Sequence, residues 1–403
     1  MKKEDMDYAV YCGIDIGKTQ HHVIMLDPIS EQRLLSRPIE QDERKIESVL
    51  AEACSFGKAL VIVDQPGSIG RLVVAVAHKM GVDVAQLAPR KFKKAADTYG
   101  EVKTDAFDSY VITDTARSMP RMIELVKADT EEAAELKVLC SFRADIVKER
   151  TACYNRLHDC LTKVSPPLEA LFSQDALHGD LALALLAHYG GPLGLKRAGK
   201  ARVSRWASGL KRQKNRGPAK VEEVFEALSE MTLVLPATPV IEEMIKHLAA
   251  RAIELKALAE ELSGRIEVRA VFHPEVMLLF SMPGMSLVNA ATIFSEIGDI
   301  DSFMDADHLA SYAGVAPVKR ESGTSVKGSK KPKGGNRRLK AALVKYAWAA
   351  CLNDPVSKAY YDKKRSENKK HFKALLALSR RRIEVIYAML KTGTYYQSLS
   401  KAA

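Results

Sequence analysis

Tyr8-Ala9-Val10-Tyr11-Cys12-Gly13-Ile14-Asp15-Ile16 is an apolar run with one carboxylate near its end. Its length and its Val, Ile and Tyr content read as a buried strand. A second run, Ala59-Leu60-Val61-Ile62-Val63-Asp64, reads the same way and also ends in Asp. A charge on a buried strand is costly unless it is paired or binds metal. Simpler readings exist for both: Asp15 as a turn residue before Gly17, and Asp64 as a helix N-cap. A third stretch shifts the balance. In Lys103-Thr104-Asp105-Ala106-Phe107-Asp108 two aspartates stand three apart, at the head of a run to Met119 that lacks Gly and Pro. That run reads as a helix, on which residues three apart are neighbours with Cβ atoms roughly 5–6 Å apart. Carboxylates that close repel unless a proton or cation sits between them. An acidic first turn also suits the helix dipole with no ligand at all. Four acids on two apolar strands and one helix start nevertheless form the layout of a two-metal phosphodiester site.

Strand and helix signals alternate around these acids. Residues 8–16, 21–26 and 33–39 read as strands, 42–54 as a helix, 59–64 as a strand, 70–80 as a helix and 82–87 as a strand. The helix opened by Asp105 follows. A mixed sheet in this order, carrying these acids, resembles the RNase H/RuvC nuclease fold. Two other readings attach to the segment from Gly13 to Thr19. Gly17-Lys18-Thr19 mimics the tail of a P-loop, but Cys12 stands where that motif needs Gly. The segment also resembles the first phosphate loop of actin-like sugar kinases. Those enzymes need a second glycine-rich loop, and Gly190-Gly191 and Gly334-Gly335 stand in the wrong setting for it.

The chain has 403 residues, enough for two or three domains and a sizeable core. Its 47% hydrophobic and 28% charged content fits a soluble globular protein. No apolar run approaches the roughly 20 residues of a membrane span, and the first ten residues lack the apolar core of a signal peptide. Six scattered cysteines without a CxxC pair argue against a zinc module or a disulfide framework and suit a reducing cytoplasm. A net charge of +11 points to a polyanionic partner.

Residues 121–165 contain neither Gly nor Pro and place Leu136, Leu139, Ile146, Cys153, Leu157, Leu161 and Val164 at spacings of three, four or seven. This reads as a long amphipathic helix stopped by Pro166-Pro167. A second long helix carries Ile245, Leu248, Ala252, Leu255, Ala259, Leu262 and Ile266, a three-heptad seam. The seam fits either a dimerising coiled coil or an antiparallel hairpin within one chain. Between the two helices, residues 196–216 hold nine Lys/Arg and no acid. Such a stretch is a solvated loop or, lacking acids, a phosphate-neutralising nucleic-acid contact through Lys196, Arg197, Lys200, Arg202, Arg205, Lys211 and Arg212. Farther on, Met282-Pro283-Gly284-Met285 between apolar segments looks like a helix-hairpin-helix, whose turn lets backbone N–H groups approach a phosphate. A Gly-rich basic loop follows, with Lys319, Arg320, Lys327, Lys330, Lys331, Lys333, Arg337 and Arg338 around Ser322. A serine among cations is a candidate nucleophile, since nearby positive charge stabilises both an alkoxide and an attacked phosphate. A structural loop serine is the plainer reading.

Taken together, these pieces resemble one family, the DEDD transposases of the insertion sequence 110 type, relatives of the pilin-gene invertases. The matching residues are Gly13-Ile14-Asp15, Asp64-Gln65-Pro66-Gly67-Ser68, Lys103 to Asp108 and Asn155-Arg156-Leu157-His158. Further matches are Met282 to Met285, Tyr312-Ala313-Gly314-Val315-Ala316-Pro317, Glu321-Ser322-Gly323 and Gly334-Gly335-Asn336-Arg337-Arg338-Leu339. They run in the family's order through most of the chain. The resemblance implies a RuvC-like α/β domain over 1–121. A helical coiled-coil region would follow over 122–268, with a basic insertion at 166–220, and then a mostly helical transposase domain over 269–403. It implies catalytic and metal-binding roles for Asp15, Asp64, Asp105 and Asp108 with Mg2+, and a nucleophilic role for Ser322. It further implies recombination of donor and target DNA guided by a structured non-coding bridge RNA, and homodimers assembling into a homotetramer. The setting implied is the prokaryotic cytoplasm at the nucleoid. The chain departs from the family pattern at Asp64, where the usual acid is Glu, and in its longer middle section. A RuvC-like nuclease using metal and water, and a non-enzymatic nucleic-acid-binding protein, are the alternatives.

Overall fold

The computed structural model describes residues 7–100, 104–127, 130–174, 180–210, 216–230, 232–316, 318–322, 326–330 and 334–397. They belong to two compact units, Met1–Thr130 and Glu131–Ala403.

The first unit runs β1 (Val10–Asp15), β2 (Gln20–Leu26), β3 (Arg33–Glu40), α1 (Glu43–Ser55), β4 (Ala59–Val63), α2 (Arg71–Lys79), β5 (Asp83–Gln86), α3 (Pro89–Tyr99), α4 (Asp105–Ser118) and β6 (Glu124–Leu125). The sheet order is β3-β2-β1-β4-β5-β6. β1, β2 and β3 are antiparallel, β1, β4 and β5 are parallel, and the short β6 closes the edge antiparallel to β5. The central strands are buried on both faces, so their sequences read as unbroken apolar runs. Alternation along β1 splits the core. Val10, Cys12 and Ile14 pack with Ile46, Val49, Val73 and Val76 of α1 and α2. Tyr11, with Leu60 and Ile62 of β4, packs with Ile112 and Ala116 of α4. The helices expected over 42–54 and 70–80, the helix opened by Asp105 and all five expected strands are present. The α3 helix and the two-residue β6 are additional.

The second unit is almost wholly helical: α5 (Glu131–Val164), α6 (Pro166–Gln174), α7 (Asp180–Tyr189), α8 (Pro192–Ala198), α9 (Lys200–Ser208), α10 (Arg216–Ser229), α11 (Thr238–Ala270), α12 (Pro274–Phe280), α13 (Leu287–Ile297) and α14 (Ala306–Tyr312). A two-stranded ribbon, β7 (Val318–Ser322) and β8 (Val326–Lys330), precedes α15 (Arg337–Asn353), α16 (Pro355–Ser366) and α17 (His371–Thr392). The heptad seam on α11 pairs inside the chain. Arg251 bonds Glu149 at 2.9 Å and Arg269 bonds Glu135 at 2.7 Å, so α11 lies antiparallel to α5. Ile245, Ala252, Leu255, Ala259, Leu262 and Ile266 are buried in the resulting core. Of the two partners the heptads allowed, the chain's own helix is the one seen here.

Two expectations are corrected. The basic stretch 196–216 is not a loop where it is described: it continues α8 and forms α9, because Leu195 on α8 and Val203 and Ala207 on α9 are buried. Trp206 stacks on His188 with centroids 4.6 Å apart. The serine segment, read as a loop, is largely the β7–β8 ribbon. The Met282 to Met285 segment is a turn between α12 and α13, with Gly284 at φ +78°. Among the described residues no helix is long and apolar enough to cross a membrane.

Candidate active site

Asp15 is the last residue of β1, and Asp64 follows the last residue of β4. Ile14 is in register with Val63, so the two aspartates come next on adjacent parallel strands, about 4.8 Å apart in backbone. Alternation puts both on the α4 face, continuing the series Tyr11-Gly13-Asp15 and Leu60-Ile62-Asp64. The carboxyl ends of parallel strands are where open α/β sheets hold ligands.

Helix α4 brings the second pair of acids to that face. Thr104 caps it, its hydroxyl accepting the Phe107 N–H at 3.1 Å. The cap fixes Asp105 and Asp108 in the first turn. Ser109, fully buried, ties this turn to the sheet: its Oγ lies 2.8 Å from the Asp105 and His22 carbonyls and accepts the Asp15 N–H at 3.4 Å. Gly13 allows the close approach. A Cβ there would fall 2.0 Å from Thr113 Oγ1 and 2.9 Å from the Thr113 nitrogen.

Three of the carboxylates act on the fourth. Burial, then the charges of Asp64, Asp108 and Asp105, push the Asp15 carboxyl up to about 7. Burial also raises the Asp64 carboxyl, against the Gln65 amide and nearby backbone N–H groups. Gln65 Nε2 donates to Asp64 Oδ2 at 3.1 Å, while Oδ1 is buried with no hydrogen-bond partner. A buried, partnerless carboxylate oxygen near the Asp15 carboxyl fits a bound cation. Oxygen-only donors fit a hard divalent ion. Among the described residues no group of three or more Asp, Glu, His or Cys side chains is placed to hold a metal ion.

A hydrogen-bonded brace holds the loops around the acids. Gly17 N–H donates to His21 Nδ1 at 3.2 Å, His21 Nε2 meets Gln41 Oε1, and Gln41 Nε2 donates to the Ile69 carbonyl at 2.6 Å. It links the turn after β1 to the segment after β4. Sequence reasoning missed this brace and missed Ser109. The only signal for Ser109 is its place four residues after Asp105, one helical turn on.

The remaining candidate residues lie in the second unit. Lys319, Arg320 and Ser322 stand in β7 and Lys327 and Lys330 in β8, with Ser322 opposite Val326. Lys331, Lys333, Lys211 and Arg212 lie outside the described residues. Asn336 caps α15, and Arg337 beside it is exposed. Arg338 is committed to Asp145 at 2.9 Å. Lys196, Arg197, Lys200, Arg202 and Arg205 are exposed on α8 and α9, with Lys200 bonded to Glu222.

A transposase family model matches residues 12–166, and the model of the Transposase IS116/IS110/IS902 family matches residues 276–362. The uncharacterized 43.6 kDa protein of insertion element IS110 from Streptomyces coelicolor is 39% identical over 97% of this chain and 96% of its own length. The pilin gene-inverting protein of Moraxella bovis is 30% identical over 28% of this chain and 36% of its own. A Thermus thermophilus RuvC structure, in complex with a Holliday junction substrate, covers 30% of this chain and 100% of its own at 16% identity. Its TM-score is 0.25, and the fold described above rests on strand order instead. The near-complete, 39% identical relative and the two family models place the chain among known proteins: it belongs to the IS116/IS110/IS902 family of insertion-element transposases.

Proposed function

We propose that this transposase cuts and rejoins DNA through a covalent phosphoserine on Ser322, guided by a structured bridge RNA that pairs with donor and target DNA. The observation that carries the reading is the carboxylate cluster, above all the buried, partnerless Asp64 Oδ1. In this reading residues 1–121 supply the acids, 122–268 the assembly helices and 269–403 the serine. Asp15, Asp64, Asp105 and Asp108 would hold Mg2+, which when bound would supply charge stabilisation at the scissile phosphate.

The Ser322 hydroxyl gives up its proton to a base and its Oγ attacks the scissile phosphorus. The bond from phosphorus to the leaving deoxyribose oxygen breaks, and that oxygen takes up a proton. A hydroxyl of the second duplex then attacks the phosphoserine, restoring the serine and joining the strands without hydrolysis. Lys319, Arg320, Lys327 and Arg337 are the cations suited to offset the charge that develops. The net charge of +11 supports a large polyanionic partner such as the guide RNA. The acids and the serine belong to different compact units. A dimer of dimers, in which the serine of one protomer serves the acids of another, is compatible with that division.

The experiment is trapping of the protein–DNA adduct on donor and target duplexes with the element's RNA. The unaltered chain and Ser329→Ala should form the adduct, and Ser322→Ala should form none. If Ser322→Ala still cuts DNA, activated water is the nucleophile and the chain is a metal-dependent nuclease instead.

A further inference from the structure

His21, near the start of β2, is 1% exposed, yet both of its ring nitrogens are bonded. Its Nδ1 accepts the Gly17 N–H at 3.2 Å, so that nitrogen carries a lone pair. Gln41 donates its amide nitrogen to the Ile69 carbonyl at 2.6 Å, which turns its Oε1 toward His21 Nε2. An amide oxygen only accepts, so the proton sits on Nε2. The neutral Nε2–H tautomer is the form of the ring that satisfies all three bonds. His21 shares a face of the sheet with Val23 and Met25, the side covered by α1 and α2. Asp15 and Asp64 lie on the opposite face, so His21 is no ligand of a cation held there.

The three bonds join the backbone that follows each strand-end acid. β1 and β4 keep parallel register as far as Ile14 and Val63. Beyond that pair each chain turns sharply. A Cβ on Gly17 would lie 2.0 Å from the Gln20 carbonyl oxygen, and one on Gly70 would lie 1.9 Å from the Gln65 carbonyl oxygen. The first turn follows Asp15 by one residue, Ile16, and the second opens at Gln65, directly after Asp64. Ile16 lies between them: its Cγ1 is 3.6 Å from where a Gly70 Cβ would stand. Against burial, which raises the Asp64 carboxyl, act the Gln65 amide and then the Ile16 N–H. Gln41 holds the first turn a second time, its own N–H donating to the Thr19 carbonyl at 3.0 Å.

We propose that His21 and Gln41 are positioning residues of the carboxylate site. The neutral imidazole sets the spacing of the turns after Asp15 and Asp64 and, through them, the affinity of the acids for a divalent cation. Hydrogen-bonded partners behind a metal site act in this way, by orienting the groups that hold the ion. A packing role alone leads elsewhere. Among Val23 and Met25 an apolar side chain would serve as well, since a buried polar ring gains little over leucine unless its bonds are needed. The inference rests on the acids being a metal-holding cleavage site, and on neither the phosphoserine nor the guide RNA. All its members lie in the first unit.

The test uses the full-length chain and Mg2+ alone, with affinity read by calorimetry in the absence of nucleic acid. His21→Leu and Gln41→Met keep bulk and remove the side-chain bonds. Each should weaken Mg2+ about tenfold while the chain stays folded. The double variant should be no weaker than His21→Leu, because the bonds act as one chain. His21→Asn puts an amide oxygen near the place of Nδ1, can keep the Gly17 bond, and should recover part of the affinity. Nitrogen NMR of the unaltered chain at neutral pH should show a protonated Nε2 and a bare Nδ1 on His21; the opposite tautomer overturns the proposal. Asp105→Asn is the control for the acids. If it weakens Mg2+ while His21→Leu and Gln41→Met do not, the acids stand as the metal site and the brace is packing alone, whatever happens to the melting temperature. That result also overturns the proposal. If Asp105→Asn leaves Mg2+ binding intact, the reading of the acids fails and this proposal fails with it.

Discussion

A Cβ on Gly13 would lie 2.0 Å from the hydroxyl oxygen of Thr113, so β1 and α4 touch directly two residues before Asp15. The Thr113 hydroxyl is itself held by the Ser109 carbonyl at 2.6 Å and cannot turn away without losing that bond. The Thr113 nitrogen at 2.9 Å and the Ser109 oxygen at 3.0 Å are backbone and must move with the whole helix.

Gly13→Ala should therefore push α4 outward and carry Asp105 and Asp108 away from Asp15. A misplacement of about 1 Å is expected to cost on the order of 100-fold in strand cleavage, with 1–3 kcal/mol of stability lost to overpacking. Adding Thr113→Ala should recover only part of both, because the backbone contacts remain. Cleavage rates and melting temperatures of the single and double variants check this.

Stability of the metal-free chain should fall as pH rises. The Asp15 carboxyl titrates at about 7 in the folded chain and at 3.8 in its ordinary state. Between those values the folded form holds a proton that the unfolded form has released, so raising the pH favours unfolding. The loss begins near pH 4 and is complete somewhat above pH 7. At this half-exposed site it should amount to about 1–2 kcal/mol. Thermal unfolding at pH 5 and pH 8 reads it. Asp15→Asn should flatten the dependence, and a divalent cation should reverse the decline. A melting temperature that climbs from pH 5 to pH 8 without metal refutes the argument.

Asp105→Asn keeps shape and removes one ligand charge. Cleavage should drop by at least about 100-fold while folding and nucleic-acid binding persist. Ser109→Ala should cost less, about tenfold, because Ser109 only positions the acids through Asp15 N–H and the two carbonyls. Its defect should shrink at high metal concentration, whereas that of Asp105→Asn should remain. Rates measured across a metal titration distinguish the two.

Leu255→Asp should destabilise the single chain. Leu255 is 1% exposed within the helical core, so the new carboxylate would be buried without a partner. A loss of about 3–5 kcal/mol is expected. Chemical denaturation of the second unit, followed alongside molar mass, reports it. A change in molar mass with unaltered stability would locate the seam between chains instead.

Much of the first unit was legible because its chemistry is local. β1 and β4 are covered on both faces, so they appear as apolar runs, and an Asp at the end of each stands out against them. The α4 helix declared itself through two acids three apart and a following run free of Gly and Pro. The α3 helix did not, because Arg90, Lys91, Lys93 and Lys94 dominate its sequence and its apolar face is narrow. The helices α8 and α9 were hidden in the same way, with Val203 and Ala207 scattered among cations. On α11 the heptads revealed a buried face but not what buries it, since periodicity carries no information about the partner. The brace from His21 to Gln41 was invisible for a related reason: its members are twenty residues apart and meet only once the sheet has formed.

The antiparallel pairing of α5 with α11 makes the chain from Val164 to Thr238 a detour that leaves and returns at nearly one point. Those two residues line the same small cavity. The entropy of closing such a detour grows only slowly with its length. The scaffold can therefore absorb additions or deletions between α5 and α11 with little penalty, provided the packing of α7 on α11 is kept. This is the natural place for relatives to differ in length, and a ready position for grafting a foreign domain.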